Sequence, residues 1–89
     1  MSMLERRVIA LTGDLDVYTT PTACRVLDAI DGPAVIDLSA VRLLGAAALE
    51  ELARVARRVG PRNVTLAGAR PHVRRVLEIV RFDQLFVLE

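Results

Sequence analysis

Two hydrophobic periods alternate along this chain. Short apolar runs suited to strands, Arg7-Val8-Ile9-Ala10-Leu11-Thr12, Ala34–Leu38 and Asn63–Ala67, are separated by stretches whose apolar residues recur every three or four positions. Gly13-Asp14-Leu15-Asp16 breaks the first run into a turn. Thr19 or Thr20 is then placed to cap a helix with Pro21 in its first turn, Ala23, Leu27 and Ile30 on its inner stripe, and Asp31-Gly32-Pro33 as its stop. Asp37-Leu38-Ser39 closes the second strand. A second helix spans about Ala47–Val59, with Leu49, Leu52, Ala53, Ala56 and Val59 inward and Glu50, Glu51, Arg54, Arg57 and Arg58 outward, and Gly60-Pro61 ends it. Pro71 opens a third helix with Val73, Val76, Leu77 and Val80 facing in, and Leu85–Leu88 adds a short edge strand. Strands alternating with helices of this length predict an α/β fold, a mostly parallel sheet joined by right-handed crossovers.

Length and composition narrow the picture. Eighty-nine residues, 53% of them apolar, make one domain with one modest core, so residues 1–89 are read as a single unit. The single cysteine, Cys24, excludes an internal disulfide framework and suits a reducing compartment. No apolar run approaches membrane-spanning length and the amino terminus MSMLERRVIA lacks the apolar region of a signal peptide, so a cytoplasmic protein with no membrane contact is expected. Twelve basic residues, all arginine, balance eleven acidic ones, leaving a net charge of +1. The arginines are interleaved with acids at helical spacing, as in Glu50–Arg54, Glu51–Arg54 and Arg74–Glu78, and only Tyr18, Phe82 and Phe86 are aromatic. Neither a global field nor a stacking platform for nucleic acid follows, and no phosphate-binding loop occurs.

Candidate chemistry is sparse. One histidine, His72, and one cysteine assemble no recognisable metal site, and no nucleophile has a base beside it. Neither an enzyme nor a cofactor is indicated. Cys24, next to the inner stripe of the first helix, reads as a half-buried inert thiol, and His72 as a solvated side chain. Ser39, Thr19, Thr20 and Thr22 read as turn and cap residues, and Asp37 as an acceptor for loop amides. The most informative stretch runs from Ala34 to Gly60, where a strand passes through the small-residue elbow Gly45-Ala46-Ala47-Ala48 into an amphipathic helix.

The GDLD turn, the IDLSAVRLL strand with its approach to the elbow, and the RVLEIVRFDQLF tail stand in an order and spacing that resembles the STAS domains, the fold of bacterial anti-sigma factor antagonists, across almost the whole chain. The resemblance implies a sheet of four to five strands with helices largely on one face. It also implies a function: docking on an anti-sigma factor of the GHKL kinase type and release of the sigma factor it holds. In that family the elbow normally reads Asp-Ser-Ser/Thr-Gly and its second hydroxyl residue is phosphorylated. Those positions fall here on Gly45, Ala46, Ala47 and Ala48, so Ala47 replaces the phosphoacceptor and cannot take phosphate. Gly45, Ala46, Ala47, Ala48 and Leu49 are the expected contact residues, with Asp14, Asp16 and Thr19 at the rim. An accessory STAS subunit of a transporter or larger regulatory assembly is the alternative. Family members carry a further strand ahead of the GDLD turn, yet only twelve residues precede Gly13. Either Met1–Arg7 forms a cramped partner strand, or an exposed edge invites a homodimer.

Overall fold

The computed structural model describes residues 7–16 and 20–89. The chain order is β1 (Arg7–Leu15), α1 (Thr20–Asp28), β2 (Ala34–Leu44), α2 (Ala46–Val59), β3 (Val64–Ala67), α3 (Pro71–Ile79), a single 3₁₀ turn at Phe82–Gln84 and β4 (Val87–Leu88). The four strands form one parallel sheet in the order β1-β2-β3-β4. Because each crossover steps in the same direction and such crossovers are right-handed, the helices fall on one face. Burial agrees. Ile9, Ile36 and Leu66 stand in register across the sheet and share one core with Leu27 of α1, Leu52 of α2 and Leu77 of α3. Each large apolar side chain buried there contributes roughly 1.5–3 kcal/mol. In the adjacent row, facing the other side, Val8 is 67% exposed and Val35 half-buried, while Thr65 is buried.

Both long strands extend beyond the sequence expectation. Gly13 does not end β1; at φ +80 it lets the strand continue to Leu15. Likewise β2 runs through Asp37-Leu38-Ser39 to Leu44. The ladder between them explains why periodicity hid this. Ala10 pairs with Asp37 but Thr12 with Ala40, and Gly13 pairs with Val41 but Asp14 with Leu43, so β2 carries one extra residue at each step. Two bulges change the spacing of buried residues from two (Ala34, Ile36, Leu38) to three (Leu38, Val41, Leu44). The third helix also needs correction. Val73 and Leu77 are its buried positions and Val76 is half-buried, whereas Val80 lies beyond the last turn, 40% exposed. The final strand is the two residues Val87–Leu88, preceded by the 3₁₀ turn that brings Phe82 and Phe86 to a ring separation of 5.4 Å. The expectations placed on Thr19 and on residues 1–6 lie outside the described residues.

Candidate functional site

The elbow is assembled by two strand ends. Leu15 and Leu44 are ladder partners, and the next residue on β2's side, Gly45, is the N-cap of α2 in extended conformation, φ −79° and ψ 171°. Its amide donates to the Leu15 carbonyl at 2.8 Å, and its own carbonyl accepts the first intrahelical bond from Leu49 at 3.0 Å. A Cβ at this position would come within 3.0 Å of the Leu15 oxygen, so the two strand ends close this tightly because residue 45 is glycine. No side chain caps the helix, and no acid stands in its first turn. The amides of Ala46, Ala47 and Ala48 thus present the positive end of the helix dipole without a side-chain acceptor.

The three alanines are not equivalent. Ala46 is exposed, and Ala47 is half-buried in a shallow groove between α1 and α2 that Cys24, Asp28, Glu51 and Arg54 also line. Ala48, at 3% exposure, belongs to the core, which removes it from the surface expected to meet a partner. Leu49, half-buried, lies on α2's other flank beside Ala53, Val80 and Phe82. Asp14 and Asp16 flank Leu15 and so stand at the same end of the sheet. The Asp14 carboxylate pairs with Arg42 at 3.3 Å, and the Arg42 carbonyl meets His72 Nε2 at 2.6 Å. His72, read from sequence as merely solvated, therefore ties α3 to the outer part of β2. Arg70 adds a second tie, its Nε donating to the Ser39 carbonyl at 3.2 Å.

Two titratable groups, on β2 and on α1, are tuned for structure. Asp37 accepts the Ser39 amide at 2.9 Å, and that hydrogen bond holds its carboxyl below the ordinary range. Gly68, at φ +72, passes so close that a Cβ there would stand 3.3 Å from Asp37 Oδ1. Burial, reinforced by a hydrogen bond with Glu51, pushes the Cys24 thiol up, away from the reactive thiolate. Among the described residues no group of three or more His, Cys, Asp and Glu side chains is placed to hold a metal ion. No helix among them is long and apolar enough to cross a membrane.

Sequence reasoning treated the arginines as an outer charged face and missed their main structural use. The i,i+3 pair Arg54–Glu51 forms at 2.8 Å and Arg74–Glu78 reaches 3.6 Å, while Arg54 prefers Glu51 to Glu50. Other arginines cap carbonyls far away in sequence. Arg58 donates to Leu27 at 2.9 Å and Ile30 at 3.0 Å, with Asp28 at 3.9 Å, and Arg7 donates to Ala29 at 3.1 Å. Arg62 donates to the carbonyls of Asp83 at 2.8 Å and Phe86 at 3.5 Å. The only signal for the first set was negative: α1 ends in Asp28-Ala29-Ile30 without a glycine, so its last carbonyls need donors from elsewhere.

Residues 3–89 match the family model described as Mlab, STAS domain. No curated protein matches the chain.

Proposed function

The chain belongs to the STAS domain family, and from that premise we propose that it is a protein-interaction module of the anti-sigma factor antagonist type, carrying out no chemistry of its own. It docks through the elbow on an anti-sigma factor of the GHKL kinase type and displaces the sigma factor. The observation that supports this reading is the elbow's surface: an uncapped helix start, exposed at Ala46 and half-exposed at Ala47, with no hydroxyl or carboxylate between Gly45 and Ala48. Such a surface imitates a dephosphorylated, binding-competent antagonist, because alanine has no oxygen to accept a phosphoryl group. Asp14, Asp16 and the half-buried Leu49 supply the rim.

A second reading, a permanent accessory subunit of a transporter or multi-subunit assembly, draws on the same alanines, since a contact that phosphate cannot switch also suits a stable complex. Affinity capture from the native cytoplasm with wild type and Ala47→Glu separates the two. A GHKL-type ATPase retained by wild type and lost by the variant is the expected result. The buried charge weakens binding by about 2–5 kcal/mol while leaving the isolated fold intact. An ABC ATPase or permease in its place supports the second reading, and equal retention by both proteins moves the interface away from the elbow.

A further inference from the structure

We propose that Arg62, Arg74 and Arg81 form a binding site for a phosphate-type oxyanion, separate from the elbow and independent of what docks there. Two residues other than glycine have positive φ among the described residues, Arg62 at 62° and Arg81 at 65°, and both line the same open pocket, which Arg74 also lines. Left-handed backbone is the natural place for glycine or asparagine, and Arg81 occupies the helix-terminating position where those residues usually stand. An unfavourable conformation retained by two arginines on one pocket points to their side chains as the reason.

The hydrogen bonds sharpen this. Arg62 uses one amino group on the carbonyls of Asp83 and Phe86, which fixes the guanidinium and leaves its remaining N–H groups for a ligand. Arg74 is held by Glu78 through a long 3.6 Å contact. The Arg81 guanidinium has no ion pair or hydrogen bond among the described residues, although its backbone amide donates to the Glu78 carbonyl at 3.1 Å. Glu78 and Asp83 also line the pocket, so three positive charges face two negative ones and one remains uncompensated. Guanidinium forks match a tetrahedral oxyanion in shape as well as charge, which selects phosphate or a phosphate monoester over a halide.

The test is a titration of ¹⁵N-labelled protein with inorganic phosphate at constant ionic strength, with chloride as the balancing ion. Saturable shifts confined to the backbone and Nε resonances of Arg62, Arg74 and Arg81 are expected. Repeating the titration with O-phosphoserine identifies the source: tighter binding of the ester assigns an esterified phosphate, tighter binding of the inorganic ion a free one. Arg81→Gly is the decisive variant, because glycine suits the left-handed backbone. It should keep or raise stability while weakening phosphate binding roughly fivefold or more. Should it fail to fold, Arg81→Asn, equally at home there, is judged by the same criterion. Unsaturable shifts spread equally over Arg25 and Arg57, or a folded variant that binds phosphate as wild type does, would overturn the proposal.

Discussion

At its start α2 has a glycine cap, three alanines and no side-chain hydrogen bond, whereas at its end the Gly60 amide returns to Ala56 at 2.9 Å and the Asn63 side chain donates to Val59 at 2.9 Å. The end of the helix before it is closed by side chains as well. The carbonyls of Leu27, Ala29 and Ile30, at and just past the end of α1, receive Arg58 and Arg7. Helix α3 also begins without a side-chain cap. Side chains thus close the C-terminal ends of α1 and α2, whereas the starts of α2 and α3 carry no side-chain cap. With glycine as the cap, the start of α2 gives up only about a few tenths of a kcal/mol relative to Ser or Asp, and it leaves the first amides of the helix without a side-chain acceptor.

Charges placed along the elbow break this contrast most severely. Ala48→Glu puts a carboxylate into the core and should lower stability by about 4 kcal/mol or more; urea denaturation of a domain this size should then find it largely unfolded. A variant that stays as stable as wild type would show that residue 48 can turn outward. At the opposite pole, Arg58→Met removes the donor to two part-buried carbonyls, and a loss of about 2 kcal/mol is expected from the denaturation midpoint. An unchanged midpoint would mean that water replaces the guanidinium without penalty. Ala46→Glu, two residues before the buried Ala48 but itself exposed, should raise stability by about 0.3–1 kcal/mol at low salt and lose that gain at high salt.

The smallest effect concerns the strand that leads to the elbow. The Asp37 carboxyl is held below its ordinary value by the Ser39 amide. Its contribution is therefore fully present above the ordinary aspartate value and is lost as pH falls from there through the depressed one. Asp37→Asn keeps an acceptor but removes the titrating charge. Acid-unfolding curves of the two proteins should diverge only in that window, and parallel curves down to the lowest pH would assign the acid limb to other carboxylates.

Much of this could be read from residues alone. The alternation of strands and helices, the inner stripes at Leu27, Leu52 and Leu77, and the helix start beside Gly45 all follow from spacing and turn chemistry. What escaped has physical causes. A two-residue period cannot announce a bulged strand, so the outer half of β2 looked like a loop. The spacing of Ala47, Ala48 and Leu49 fixed the helix but not which methyl group met the sheet, since that depends on the angle at which α2 leaves Gly45. Long-range caps such as Arg58 on Leu27 leave no local pattern beyond the missing glycine after α1. Neither do the left-handed arginines, because a Pro61-Arg62-Asn63 turn reads the same whatever its φ.

β3 is only four residues long, against eleven in β2. β3 accompanies β2 only as far as Asp37, opposite Ala67, so from Leu38 to Leu44 the strand has β1 as its one ladder partner among the described strands. The elbow is mounted on a two-stranded ribbon whose other side is steadied by Arg70 and His72 rather than by another strand. A ribbon held this way opens at lower free energy than the centre of a sheet. Hydrogen exchange should therefore begin at this end of β2 while Val35 and Ile36 remain protected, so that the elbow can give way without loosening the fold that carries it.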